Sequence, residues 1–451
     1  MRGFTIFPGR RILLSYTPVS YALIHLGLYI MMEDLHPGTD LSLTDLPIDI
    51  LRIIFEFLTP ARNLANTMLV CCLFRDMIEP LLYRAISLQL RLPSNTGNGL
   101  DADGSLLRTL SSRPQLGHHV IVLSLTELYD TESVDFSRQP KLLSLLPHLR
   151  ELSLNPPSPR LNLTGHLFLR YLRLDLGEDR IYPDSEQPVE IIAQNSWTPT
   201  LSTLQIEWLT LEGNWSHYFP SKTYRTSSIL DLRIHLFFQE DRSVNILPDI
   251  LSSIKSLKKF TLDSEDQGFI SHAMRDGLSL DELCLALFPH ADTLEDMVIA
   301  ASDGCFLCRT FPRCVLMDFS ALRRLGIPEN FLEYRGGSRA ELLLPPKLEE
   351  LQLQHQLFFN RSEDWSPHYE RLSVIAEMKR KSLLALKLVV WWTQMSEVLW
   401  GLWGNPRFTT QFEPFVSTFQ EVGVLFYSVD QSYFKDTPFG TNSKDPTMAL
   451  L

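Results

Sequence analysis

Leu149–Leu154 reads LRELSL, and Leu169–Leu174 reads LRYLRL. Each places apolar residues at the first, fourth and sixth positions, a pattern written here Φ-x-x-Φ-x-Φ. The last two Φ residues alternate with polar ones, which in a strand puts them on one face. One hexapeptide of this kind decides little, because leucine is abundant. The same pattern recurs as VIVLSL (Val120–Leu125), LSTLQI (Leu201–Ile206), ILDLRI (Ile229–Ile234) and LKKFTL (Leu257–Leu262). It continues as LEDMVI (Leu294–Ile299), LRRLGI (Leu322–Ile327), LEELQL (Leu348–Leu353) and LLALKL (Leu383–Leu388), and YRAISL at Tyr83–Leu88 is a further candidate. Successive starts are mostly about 26 to 37 residues apart, the interval of a repeat architecture.

Helix-compatible stretches lie between these strands, among them KLLSLLPHL (Lys141–Leu149), ILPDILSSI (Ile246–Ile254) and LDELCLALFPHADTL (Leu280–Leu294). One strand and one helix per repeat is the leucine-rich-repeat unit, whose open apolar face makes stacking obligatory. The expected fold is therefore α/β: an irregular leucine-rich-repeat solenoid, a curved parallel sheet with outer helices, behind a short N-terminal helical domain. The irregularity is read from a missing residue. A regular repeat carries Asn or Cys three residues past the last Φ, and here only Asn330 of LRRLGIPEN stands there clearly.

In such an arc the Φ residues point inward and those between them line the concave face. That set includes Tyr171, Arg173, Asp231, Arg233, His235, Lys259, Arg324, Glu350 and Gln352, the expected target-binding residues, with Glu151, Ser153, Gln205, Glu207, Thr261, Asp263, Gln354 and Lys387 beside them. Mixed charge on a large sheet suits polypeptide recognition better than a small-molecule pocket.

The 451 residues allow two or three domains, and 45% hydrophobic with 21% charged residues is ordinary for a folded protein. A formal net charge of −12 argues against generic nucleic-acid binding. Six cysteines, two of them adjacent (Cys71, Cys72), make no disulfide framework, and a cytoplasmic or nuclear location fits them. Three sequons, at Asn162, Asn214 and Asn360, are read as chance.

From Ile12 to Met32 no charged residue appears, and Arg2, Arg10 and Arg11 precede the run. It reads either as a signal peptide or anchor or as an upstream extension with the start of the folded protein at Met31 or Met32. The second reading is preferred, because an anchor of this polarity would send the rest of the chain to the lumen. Residues 1–40 are therefore expected to add nothing to the fold.

Asp45–Leu58 reads DLPIDILRIIFEFL, in which only Asp49, Arg52 and Glu56 are polar between Pro47 and Leu58. Pro47 suits the first helical position and Thr59-Pro60 ends the helix. Further helices are expected over Arg62–Leu73 and Phe74–Tyr83, and the Gly/Asn/Asp-rich loop at 91–104 is taken as a domain boundary. A helix apolar around most of its circumference needs two burial partners, one of them on another chain.

Leu43–Leu88 resembles an F-box, over about a tenth of the chain. The resemblance rests on Leu46-Pro47, Ile50-Leu51, Ile54-Phe55 and Leu58, then on Leu64, Leu69-Val70-Cys71, Phe74 and the PLLYRAISL ending, with Phe74 where the family often has Trp. The remainder is similar in style to fungal F-box proteins with degenerate leucine-rich repeats, notably at Ser105–Leu125 and Phe288–Ala300. The resemblance implies a partner: a Skp-type adaptor and, through it, a cullin–RING ubiquitin ligase. It implies adaptor contacts at Leu46, Pro47, Ile50, Leu51, Ile54, Phe55, Leu69, Val70 and Phe74.

Catalytic signatures are missing from the sequence. Cys305-x-x-Cys308, with Cys314 nearby, lacks the ligands a zinc site needs, and no phosphate loop, nucleophile elbow or His-Glu-x-x-His motif occurs. No cofactor is expected. The domains are expected at 41–90 (F-box), 105–390 (arc) and 391–439 (an aromatic-rich cap with Trp391, Trp392, Trp400 and Trp403), followed by a tail at 440–451. The expected function is that of a non-enzymatic substrate receptor of a Skp–cullin–F-box ligase. The alternatives are a non-ligase repeat scaffold and a membrane-anchored or secreted repeat binding protein.

Overall fold

A computed structural model describes residues 46–58, 61–91, 102–128, 138–158, 160–176, 187–209, 218–219, 225–237, 247–265, 280–301, 316–329, 344–356, 366–394 and 413–430. The expectations for residues 1–45, Cys305, Cys308, Cys314, Asn330 and the tail lie outside the described residues. So do those for Trp400 and Trp403.

Three helices open the described chain: α1 (Ile48–Glu56), α2 (Ala61–Thr67) and α3 (Cys72–Arg84). Pro47 is the N-cap of α1 rather than its first helical residue, and its carbonyl accepts from Ile50 and Leu51 N–H at 3.0 and 3.1 Å. The helix α2 stops earlier than expected, because Leu69 and Val70 turn back onto Asn66 and Thr67 carbonyls. That turn delivers Cys71, whose Sγ accepts from Phe74 N–H at 3.5 Å and caps α3. The helix α3 then continues through Pro80.

Nine of the ten Φ-patterned segments carry a strand over their second half; the tenth, Leu383–Leu388, lies three residues early, its strand beginning only at Leu388, and the further candidate at Tyr83–Leu88 falls where α3 passes into β1 (Ala85–Arg91). They follow as β2 (Val122–Leu128), β3 (Glu151–Asn155), β4 (Tyr171–Asp175), β5 (Thr203–Leu209), β6 (Asp231–Phe237) and β7 (Lys259–Glu265). Next come β8 (Asp296–Ala301), β9 (Arg324–Pro328), β10 (Glu350–Gln356) and β11 (Leu388–Gln394), and a strand outside the pattern, β12 (Leu425–Asp430), closes the order. The twelve strands form one open sheet in sequence order, every neighbouring pair parallel.

The register makes continuous rows. One core row runs Leu123, Leu152, Leu172, Leu204, Leu232, Phe260, Met297, Leu325, Leu351 and Val389, all at least nine-tenths buried. A second runs Leu125, Leu154, Leu174, Ile206, Ile234 and Leu262. The helices α4 (Ala102–Ser112), α5 (Arg138–Ser144), α6 (Gln187–Ser196), α7 (Leu247–Ser253), α8 (Leu280–Leu287), α9 (Ser366–Lys381) and α10 (Glu413–Glu421) cover these rows. They do so with residues such as Leu110, Leu142, Ile191, Ile250, Leu283, Leu372 and Phe419. Each fully buried Leu or Ile stabilises by about 1.5–3 kcal/mol relative to exposure.

Two further devices hold successive units together. The carbonyl before each of strands β2 to β10 accepts two N–H groups from the next unit: Arg150 shows it, with Arg170 N–H and Tyr171 N–H meeting Arg150 O at 2.8 and 3.0 Å. Buried polar side chains then satisfy loop backbone that no strand can reach. Asn195 accepts from Leu163 N–H and donates to Leu161 O; Gln139 accepts from Ser158 N–H and donates to Pro156 O. His290 does the same across α7, its Nε2 3.0 Å from Leu251 O and its Nδ1 accepting from Leu257 N–H. Close approach is also required at Gly117, where any Cβ would collide with Leu145 O.

The expected boundaries shift in two places. The strand β1, assigned to the helical block, pairs with β2 and so belongs to the sheet. Within the region expected as a cap, α10 and β12 repeat the helix–strand unit, and Trp391, Phe415, Phe419 and Phe426 are core residues.

Candidate functional site

The three N-terminal helices enclose their own small core of Leu51, Phe55, Phe74 and Ile78, with the Phe55 and Phe74 rings edge to face at 5.0 Å. Leu51 and Phe55 sit one turn apart on α1 and face α3. This corrects three expected adaptor contacts. Leu51, Phe55 and Phe74 are almost fully buried within the chain, because so short a block must spend its largest side chains on itself.

Leu46, Ile54, Leu58, Leu64, Met68, Met77 and Leu81 pack against this core, while six other large apolar residues of the block point outward. Ile48, Ile53 and Phe57 on α1 are 58%, 51% and 62% exposed, and Leu69 and Val70 in the α2–α3 turn are 67% and 69% exposed. Leu73 at the start of α3 is exposed as well. Of the other expected contacts, Pro47 is exposed, while Leu46, Ile50 and Ile54 are half-buried. Ile48, Ile53, Phe57 and Leu73 were missed by the sequence reading. The signal was present: once Leu51 and Phe55 are assigned to the core, with Ile54 and Leu58 beside them, Ile48, Ile53 and Phe57 have no intramolecular face left. The exposed Arg52–Glu56 pair at 3.6 Å marks the solvated stripe between.

The second candidate surface is the sheet face opposite the helices. The register brings the expected target-binding residues, His235 apart, into two rows. One runs Tyr171, Thr203, Asp231, Lys259, Asp296, Arg324 and Glu350, and the other Arg173, Gln205, Arg233, Thr261, Val298, Gly326 and Gln352. Row neighbours are about 4.8 Å apart, the strand spacing. From Asp231 to Glu350 the first row alternates in charge at every step.

Apart from Lys259, these charges are spent on one another. Tyr171 O–H donates to Gln205 Oε1 at 2.6 Å, Gln205 Nε2 donates to Glu207 Oε1 at 2.6 Å, and Arg173 Nη2 donates to Glu207 Oε2 at 2.8 Å. Arg233 holds Asp231 with two bonds, at 2.9 and 3.2 Å. His235 lies 3.4 Å from Asp263. Arg324 stands between Asp296 at 3.5 Å and Glu350 at 3.3 Å. Burial pulls the Arg173 pKa down, but the Glu207 bond and charge outweigh it and the net shift is up. For Arg233 the Asp231 bond leads, again upward. Burial pushes the Tyr171 phenol up, and pushes the Asp296 carboxyl up against the pull of Arg324 and Lys259.

The face is uneven. Along β4–β7 its residues are half-exposed, and Lys259 is exposed. Across β8–β11 it is closed: Val298, Ala300, Gln352, Gln354 and Val390 are all buried. Gln352 therefore sits beneath the surface, and its Nε2 is bonded to Glu350. Lys387 is not on the face at all; it precedes β11 and pairs with Glu349 at the strand's N-terminal end.

A buried charged group escaped the sequence reading. Glu329, just past β9, takes a bond from His368 Nδ1 at 2.6 Å and one from Arg371, both on α9. Residues some forty apart in sequence gave no local signal. Among the described residues no group of three or more His, Cys, Asp or Glu could hold a metal ion, and no helix is long and apolar enough to cross a membrane.

Comparison with known proteins identifies the segment that carries the first of these surfaces. A family model described as F-box-like matches residues 43–89. No curated protein matches the chain. The chain thus carries an F-box-like region at its described N-terminal end, a domain type that suggests a substrate-adaptor role in Skp–cullin–F-box complexes and typically binds a Skp-type adaptor.

Proposed function

We propose that the protein is a substrate-receptor subunit of a Skp–cullin–F-box ubiquitin ligase, acting in the cytoplasm or nucleus. The F-box docks on the adaptor, and the remainder, an irregular leucine-rich-repeat arc, holds a target protein. Catalysis belongs to the assembly: by fixing the target beside the ubiquitin-charged enzyme, the receptor raises its effective concentration. The observation that carries this reading is the exposed apolar set Ile48, Ile53, Phe57, Leu69, Val70 and Leu73 within the segment matched as F-box-like. So many exposed large apolar residues on so small a block fit an interface better than water.

The adaptor surface then consists of Leu46, Pro47, Ile50 and Ile54 together with the exposed set, while Leu51, Phe55 and Phe74 shape it from beneath. The strand order, the parallel register and the helix-covered core rows support the repeat reading. The half-exposed stretch Tyr171, Arg173, Asp231, Arg233, His235 and Lys259 is the target face. Arg324 and Glu350 form its margin.

The decisive test is capture of a purified Skp-type adaptor by the purified chain, followed by ubiquitin transfer in a reconstituted ligase. Capture at micromolar concentration or tighter is expected. Folded protein that leaves the adaptor in solution ends the reading.

A further inference from the structure

The two ends of the strand-entry rim differ in how their charges are used. From β7 onward the residues just before the strands are paired: Lys258 with Glu295 at 3.1 Å, Arg323 with Glu349 at 3.5 Å, and Lys387 with Glu349 at 2.5 Å. At β1, β3 and β4 the equivalent residues are Arg84, Arg150 and Arg170, all exposed. Among the described residues none of these three has an ion-pair or side-chain hydrogen-bond partner. Backbone bonds fix their spacing: Arg150 N–H meets Ile121 O at 2.9 Å, and Arg170 N–H meets Arg150 O at 2.8 Å. Arg150 and Arg170 are therefore about one strand spacing, 4.8 Å, apart.

The same rim carries an exposed apolar platform. The rings of His118, His148 and Phe168 come from three successive units and stack edge to face, with centroids 4.9 and 5.5 Å apart. His148 Nδ1 lies 3.1 Å from His118 O, which holds the ladder in place. Phe168 is 51% exposed and its neighbour Leu167 is 62% exposed. A held ring ladder beside uncompensated guanidinium groups is a surface with two chemistries. On a chain of net charge −12 such a pair of neighbouring exposed cations favours an anionic partner.

We propose that this rim docks an acidic peptide segment of the target, its carboxylates on Arg150 and Arg170 and an apolar side chain on Leu167 and Phe168. The inference rests on the substrate-receptor reading for calling that segment part of a target, and it adds the strand-entry rim to the sheet face as a recognition surface. Arginine forks bind carboxylates in a planar, two-bond geometry. The ring ladder gives the segment its register.

The test is fluorescence anisotropy with the purified full chain and a short labelled peptide of alternating Glu and Leu. Its Gln/Leu and Glu/Gly counterparts serve as probes of each chemistry. Both counterparts are expected to bind at least about tenfold more weakly, and salt to weaken the Glu/Leu complex. The double variant Arg150→Glu with Arg170→Glu should lose at least about tenfold, Phe168→Ala should lose less, and Lys258→Gln should lose nothing. If the reversed variant melts early, Arg150→Gln with Arg170→Gln carries the same reading. Equal binding of the Gln/Leu peptide, or undiminished binding to variants that fold, overturns the proposal. So does a single-stranded RNA of equal charge that displaces the peptide, because the rim would then be a general polyanion surface. Adaptor capture, measured on the same variants, reports on the F-box separately: its failure in the parent chain would sink the receptor reading and leave peptide binding standing.

Discussion

The F-box helices and the sheet domain solve the same problem with opposite means. The helices bury four large residues and leave six exposed, so their apolar surface exceeds what the block can enclose. In the sheet each strand buries its apolar row against the next unit, and the row simply lengthens with each repeat. On the proposed reading the first is a docking element, finished only when a partner arrives. The second is self-sufficient along its length and has charge to spare on its rim. The two are joined through α3, where Glu79 accepts from Arg113 Nη2 at 2.7 Å and Tyr83 packs onto the sheet's core.

That contrast can be attacked at its strongest points first. Glu329 is buried with His368 and Arg371 against it. Glu329→Ala leaves the Arg371 guanidinium and the His368 ring without their carboxylate and should destabilise the sheet domain by about 3–5 kcal/mol. Phe55→Ala should cost the helical block a similar amount, about 3–5 kcal/mol, by opening a cavity against Phe74. If the two regions are as independent as their separate cores imply, hydrogen exchange will show each variant loosening its own region. Loss of protection throughout the chain from Phe55→Ala would instead make the helices part of the sheet's cooperative unit.

A smaller effect tests what holds successive units together. His290 is buried, with Nδ1 accepting from Leu257 N–H and Nε2 directed at Leu251 O. That arrangement needs the neutral ring. Burial holds its pKa below the ordinary value, and the same cause lowers His166. In the unfolded chain both titrate near about 6.5. Below that pH the unfolded state binds protons that the folded state refuses, so stability present at neutral pH is lost as the pH falls through the folded values. The loss is up to about 1.4 kcal/mol per pH unit for each group. Denaturant melts between neutrality and mild acid should show this slope, and His290→Gln should lessen it. Burial raises the Asp296 and Asp249 pKa values, so these act with the opposite sign, in the carboxylate range.

The legibility of each region follows from its physics. Strands were readable because stacking repeats one apolar spacing, and every patterned segment between Val120 and Leu388 contributes to a strand. The strand β12 was missed because Ser428 occupies the second core position, breaking the pattern where the sheet nears its last edge. The open-face residues followed from alternation alone. Their pairing did not, since Arg173 meets Glu207 across thirty-four positions and Glu329 meets His368 across thirty-nine. In the F-box, resemblance indicated which residues matter but not which side they face. Leu51 and Leu69 are equally apolar in sequence, and only the α1–α3 packing puts one inside and the other outside.

The smallest expected effect on stability is also the sharpest test of the comparison. Leu69 and Val70 are the most exposed of the apolar residues on the F-box block and sit in the turn before Cys71 caps α3. Their backbone N–H groups are already satisfied by Asn66 and Thr67, so the turn does not depend on the side chains. Leu69→Ser with Val70→Ser should therefore change folding stability by less than about 0.5 kcal/mol per site. Adaptor binding is a different matter. Covering each apolar side chain contributes about 1.5–3 kcal/mol when burial is complete. Losing both should weaken binding by about two orders of magnitude, since 1.4 kcal/mol is tenfold. The Leu51→Ala variant should do the reverse, lowering the melting temperature while the folded fraction still captures adaptor. A thermal melt beside a titration of adaptor onto each variant separates the two behaviours. If Leu69→Ser with Val70→Ser melts early, or Leu51→Ala abolishes capture without loss of fold, the inward and outward assignments of these helices must be exchanged.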